Sequence, residues 1–285
     1  MAQLSRAQLK ALWVTGYIPT QTDYENLFDS MYDFLSDNLA GQGNTLVHAG
    51  LSGSYTNSGL TKPLIEVEIF LNNPQLITVN MPANTVIQTI DFENGTTAVQ
   101  NLDCSGCSAL KQLFLQPIVT SVIDVDLSGC VMLTSLSMDS ALSMTDINLA
   151  NCTSLTDLFV DGCSSAVVID VSGLAALINA NLYMNGLVTA YDFSSSVLLQ
   201  NVNGNNCSAL TTVTISSTAP VTACTFNTCA LNVGSVDGIL AALNANGQIN
   251  GTCDLAGGTN ASPTGGATNA DYLALIVKGW TVNIN

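Results

Sequence analysis

Cys104 and Cys107 are separated by two residues in the stretch L-D-C-S-G-C-S-A-L, the spacing of half a tetrahedral zinc site or of a redox-active dithiol. A second set, Asp103, Asp124, Asp126 and Asp146, carries carboxylate oxygens of the kind that bind calcium. A third mixes rings with amides and carboxylates: Phe114, Asp157, Phe159, Asp161, Asn181, Tyr183 and Asn203. Such a mixture suits a sugar, whose ring face lies on an aromatic and whose hydroxyls meet fixed polar groups. Which of these sets can act depends on the elements that hold them.

The chain has 285 residues, 47% of them apolar, enough for a substantial core. Acidic residues outnumber basic ones 21 to 5, for a formal net charge of −16. That field repels phosphate backbones and anionic lipid, so neither nucleic acid nor a membrane surface is expected as a partner. The start, M-A-Q-L-S-R-A-Q-L-K, lacks a secretory apolar core, and no stretch reaches the roughly 18 apolar residues of a membrane span. A product made in a cytoplasm is expected, where the nine cysteines stay reduced as small core residues rather than a disulfide framework.

Residues 1–40 read as two helices. Ser5 with Gln8 forms a capping pair and Gly16 a stop, and a second cap at Thr20 and Asp23 opens a segment with apolar residues at helical spacing. Leu9, Leu12, Trp13, Tyr24, Leu27, Phe28 and Met31 are its candidate anchoring residues, since so short a segment needs a partner for its apolar face. Residues 41–63, rich in Gly, Ser, Thr and Asn, read as a linker with room for one short strand.

An internal repeat fills residues 64–231. Units such as V-I-D-V-D-L-S-G-C and M-T-D-I-N-L-A-N-C share the frame L-x-x-L-x-L-x-x-C, whose last position falls at Cys107, Ile118, Cys130, Ala141, Cys152, Cys163, Leu174, Asn185, Ser196, Cys207, Thr218 and Cys229, a step of eleven residues almost without exception. Two units, about 22 residues, make one coil of a solenoid with a strand on each side. The L-x-L pair points inward and the residue between points out. Residues 232–285 read as an α/β cap, with a helix after Ser235, another stopped by Gly279, and strands between and after. The fold class expected is mainly β with some α: a β-solenoid preceded by a helical segment and closed by the cap.

The frame L-x-x-L-x-L-x-x-C resembles the leucine-rich repeat family, in the variants that repeat it in both halves of the coil, and departs from longer repeats that carry a helix on the convex side. Cys107 then takes the turn position and Cys104 an inward strand position equivalent to Leu127, Leu149 and Val171. No second C-x-x-C completes a metal site, so both thiols read as architecture. The aspartates fall on one outward face. There they repel one another unless water or a cation such as calcium relieves them, and a solvated face is the simpler account. The aromatic and amide set falls on the other face as a candidate glycan or receptor surface, although asparagine ladders also stabilise stacked coils.

No catalytic group stands out. The one histidine, His48, sits in the linker, no glycine loop leads into a phosphate-binding lysine, and no cofactor is expected. The segment L-W-V-T-G-Y-I-P-T followed by L-F-D-S resembles the start of structural and fibre proteins of phages that infect Bacteroidetes, including crAss-like phages. That resemblance implies a non-enzymatic head or tail fibre subunit on a virion, made in the host cytoplasm. Its partners would be capsid or tail proteins, a host-surface glycan or protein, and further copies of itself, by analogy a trimer. A bacterial repeat adhesin or interaction module is the alternative, and a polysaccharide depolymerase a third reading.

Overall fold

The structure, a computed structural model, describes residues 45–48, 52–56, 66–69, 75–81, 83, 85, 87–91, 99–115 and 122–285. The chain divides into two units, Met1–Thr45 and Leu46–Asn285, and all described residues but Thr45 belong to the second. The expected helical segment 1–40, with Leu9, Leu12, Trp13, Tyr24, Leu27, Phe28 and Met31, lies outside the described residues.

The fold is mainly β. In chain order its strands are β1 (Thr45–His48), β2 (Ser52–Thr56), β3 (Glu66–Ile69), β4 (Gln75–Asn80), β5 (Thr89–Asp91) and β6 (Asn101–Asp103). Next come β7 (Gln112–Phe114), β8 (Asp124–Asp126), β9 (Ser135–Asp139), β10 (Asp146–Asn148), β11 (Asp157–Asp161), β12 (Val168–Ile169) and β13 (Asn179–Asn181). The rest are β14 (Ala190–Phe193), β15 (Asn201–Asn203), β16 (Thr212–Ile215), β17 (Ala223–Thr225), β18 (Thr252–Asp254) and β19 (Thr281–Asn283), with helices α1 (Val233–Ala245) and α2 (Ala270–Val277).

Odd-numbered strands through β17, then β18 and β19, form one sheet of eleven. Even-numbered strands from β2 to β12 form a second of six, and β14 pairs with β16 alone. The strand pairs whose registers follow are parallel, as the stacking of successive coils requires. Asp157 faces Asn179 and Asn179 faces Asn201, a step of 22 residues, whereas Thr89, Gln112 and Ser135 face one another at 23. This is the expected β-solenoid. Strands β1 and β2 lie within 41–63, so that stretch contributes to both sheets and is not a plain linker.

Alternation builds the core. In Q-L-F, D-V-D and D-I-N only the middle residue is buried, and Leu113, Val125 and Ile147 stack beneath their neighbours. A tight turn follows each inward pair. At most turns the residue before the turn position is left-handed, whether glycine (Gly162, φ 68°) or not (Met184, φ 60°), Ser195 and Thr218 being exceptions, and the turn residue is a buried side chain. Turn thiols reach a carbonyl one coil earlier: Cys107 Sγ donates to Met81 O at 3.0 Å, Cys130 to Cys104 O at 3.2 Å and Cys152 to Leu127 O at 3.2 Å. Asn185 does the same to Val160 O at 2.7 Å and accepts from Cys163 N at 3.1 Å. One expected turn position is displaced. Thr218 is exposed and Ala219 is buried in its stead, its N–H closing the turn on Ser216 O.

The last two coils differ in length. Ala223 faces Thr252 and Thr252 faces Thr281, a step of 29 residues each, because a helix takes the place of the second-face strand. Asn232 caps α1 by accepting from Ser235 N at 2.9 Å, and Val236, Ile239, Leu240 and Leu243 form its buried stripe. Inside the helix, Ser235 Oγ accepts from Val213 N at 2.7 Å and donates to Val213 O at 3.1 Å. The hydroxyl thus satisfies the edge of β16 where a further strand would have paired.

Candidate functional site

The outward face of the eleven-stranded sheet brings together the whole aromatic and amide set. Phe114 lies on β7, Asp157, Phe159 and Asp161 on β11, Asn181 on β13 and Asn203 on β15, with Tyr183 two residues beyond β13. Register places Phe114, Ser137, Phe159, Asn181, Asn203, Thr225 and Asp254 in one column, neighbours about 4.8 Å apart. Phe159 is 37% exposed. Phe114 and Tyr183 are half-buried.

Most of the polar groups are engaged along the stack. Asn179 Nδ2 donates to Asp157 Oδ1 at 2.7 Å and Asn201 Nδ2 to Asn179 Oδ1 at 2.8 Å. In the next column Asn203 Nδ2 donates to Asn181 Oδ1 at 2.9 Å, and Thr225 Oγ1 to Asn203 Oδ1 at 3.3 Å. The asparagines therefore tie coils together first. The rings of Phe114, Phe159 and Tyr183, with the carboxyls beside them, are what this face offers a partner.

Sequence reading passed over a rung. Strand β9 places Ser135, Ser137 and Asp139 between the rungs of Phe114 and Phe159, and Asp139 faces Asp161 directly. The signal was present, since Asp139 precedes Asp161 by one 22-residue coil. Burial, then the charge of Asp139 and a hydrogen bond with it, push the Asp161 carboxyl up from 3.8 to about 6. Among the described residues the two lysines are occupied elsewhere, Lys111 on Gln88 and Lys278 on Asn244.

On the other face Asp103 faces Asp126, and Asp124 faces Asp146. Asp103 Oδ1 accepts from Ser105 N at 2.9 Å and Asp126 Oδ1 from Ser128 N at 2.8 Å, and Asn148, Asp170 and Asp192 repeat the pattern. These side chains brace the turn that follows each strand, which is a local reason for Asp and Asn at that position. Asp124 accepts from Thr145 Oγ1 at 3.4 Å. Among the described residues no three His, Cys, Asp or Glu side chains converge on a metal position.

All nine cysteines are buried and none is in a disulfide. Burial pushes the Cys152 thiol up to about 11 and that of Cys163 to about 12. Contact with Cys107, then burial, raises Cys104 as well. Thiols held protonated in this way are weak donors to turn carbonyls and not nucleophiles. Compared with protein-family models and with curated protein sequences, this chain matches none.

Proposed function

We propose that the chain is a fibre subunit of a phage virion, with residues 1–40 as the attachment and oligomerisation segment and the solenoid as a non-catalytic receptor-binding body. The eleven-stranded sheet is its contact face and a host-surface glycan its ligand class. The observation that carries this reading is Phe159. The solenoid buries Tyr191, Phe193 and Phe226 almost completely yet leaves Phe159 outward and 37% exposed, forgoing part of the roughly 1.5–3 kcal/mol that full burial of such a ring supplies. Around it stand Phe114, Tyr183 and a row of fixed polar groups, the composition that stacks on and hydrogen-bonds a sugar. The resemblance of the first thirty or so residues to phage fibre proteins supplies the setting.

Binding of the protein to immobilised surface polysaccharide of the host tests the face. Phe159→Ala and Tyr183→Ala are each expected to weaken binding about tenfold, equivalent to about 1.4 kcal/mol; no binding by the wild type, or binding untouched by Phe159→Ala, refutes it. Immunogold labelling of purified virions separates a fibre from a bacterial repeat adhesin, which would use the same face but leave particles unlabelled. A depolymerase would draw its acid and base from Asp139 and Asp161, and release of reducing sugar from host capsule, abolished by Asp161→Asn, is the outcome that reading requires.

A further inference from the structure

Asp139 and Asp161 end adjacent parallel strands in direct register, so their carboxyls meet across a single interstrand gap of about 4.8 Å. The backbone holds them there. Ser140 N donates to Asp161 O at 2.9 Å and Gly162 N to Tyr183 O at 2.8 Å, which locks three successive coils at this edge of the face. Ser140 Oγ donates to Asp139 Oδ1 at 3.1 Å.

Among the described residues the surroundings offer no competing charge of opposite sign. On β11 the other carboxylate, Asp157, is held by Asn179 and by Thr156 Oγ1 at 2.7 Å. The rung before, β7, presents Gln112 and Phe114, and the rung after presents Asn179, Asn181 and Tyr183. Behind the pair the Cys163 thiol stays neutral, and Lys111 and Lys278 are bound at other places.

We infer that Asp139 and Asp161 share one proton across the gap between two coils, making a pH-responsive latch: in mildly acidic surroundings it ties the coils by a carboxyl–carboxylate hydrogen bond, and near neutrality it opens into two like charges beside Phe159 and Tyr183. Two carboxylates this close resist ionising together. The folded chain therefore binds the proton more tightly than the unfolded chain. The stability contributed by the pair is full below about pH 4, the ordinary range of an aspartate, and is lost as pH rises through about 6. Opening also adds a negative charge to the contact face, so an anionic ligand would be held better below that pH than above it. The latch itself stands whether or not the face binds a receptor.

Carbon-13 NMR titration of the aspartate carboxyls in the wild type, Asp139→Asn and Asp161→Asn reads the pair directly. One wild-type resonance with a midpoint near pH 6 is expected. It should be absent from Asp161→Asn and displaced downward by about one pH unit or more in Asp139→Asn. A wild-type Asp161 midpoint below pH 5 overturns the latch, and so does a raised midpoint that Asp139→Asn leaves in place, since burial alone would then account for it. Thermal midpoints give a second readout on the same proteins. The wild type should lose ground to Asp161→Asn between pH 4 and pH 7, and parallel curves for the two proteins contradict the inference.

Discussion

At the turn position of several coils a buried cysteine, serine or asparagine donates to a carbonyl of the coil before. Cys152 Sγ is a second donor to Leu127 O, which already accepts from Cys130 N, and Ala141 and Leu174 fill equivalent positions with no donor at all. The thiol bond is therefore a modest increment. Cys152→Ala is expected to cost about 1 kcal/mol in urea unfolding. Asn185→Ala should cost more, about 2–4 kcal/mol, because it also leaves the buried Cys163 N–H without its acceptor. The burial of all nine thiols leads to a chemical prediction: iodoacetamide at pH 8 should leave the native chain unlabelled by mass spectrometry and alkylate nine sites after unfolding in denaturant.

Among the elements, a rung is defined by what the next rung places over it. Gly204 occupies an inward position beneath Phe226, and a Cβ built on it would stand 2.5 Å from that ring. Gly204→Ala is expected to lower stability by about 1–3 kcal/mol, with Phe226→Leu restoring part of the loss in the double variant, as measured by thermal unfolding. Such pairings explain what could be read from sequence. The inward Leu, Ile and Val positions repeat because each coil buries the same places, so the strands from β6 to β17 and the two outward faces were legible. Where burial does not repeat, the reading failed. The Asp139 rung hides between two more conspicuous ones, and β2 is written as S-G-S-Y-T, without the L-x-L pair of the frame. Thr218 gave way to Ala219 because the turn after β16 holds one residue more than the turn after β14, although the two strands pair over the same four positions. Helices α1 and α2 were expected, but their lodging within 29-residue coils of the same sheet was not, because the eleven-residue frame stops at Cys229 and leaves no marker of register.

For the whole molecule, the outcome is a stack in which every coil depends on its immediate neighbours and the final coils must shield what lies beneath. Helix α1 performs that task for the two-stranded sheet of β14 and β16, through its apolar stripe and through Ser235 on the edge of β16. Removing residues 232–285 should leave a chain that self-associates, appearing as large species in size-exclusion chromatography, whereas Ser235→Ala in the full chain should cost about 1–3 kcal/mol without changing its size. A truncated chain that stays monomeric and folded would show that the cap is dispensable.

Because Asp157–Ile178 is one complete 22-residue circuit, excising it would set Ser135 against Asn179 with both faces still in phase. Length in this architecture is consequently a freely adjustable variable. Lineages could lengthen or shorten such a spacer by duplicating or dropping whole circuits, each altering its reach by one interstrand step of about 4.8 Å, while the closing helices remain untouched.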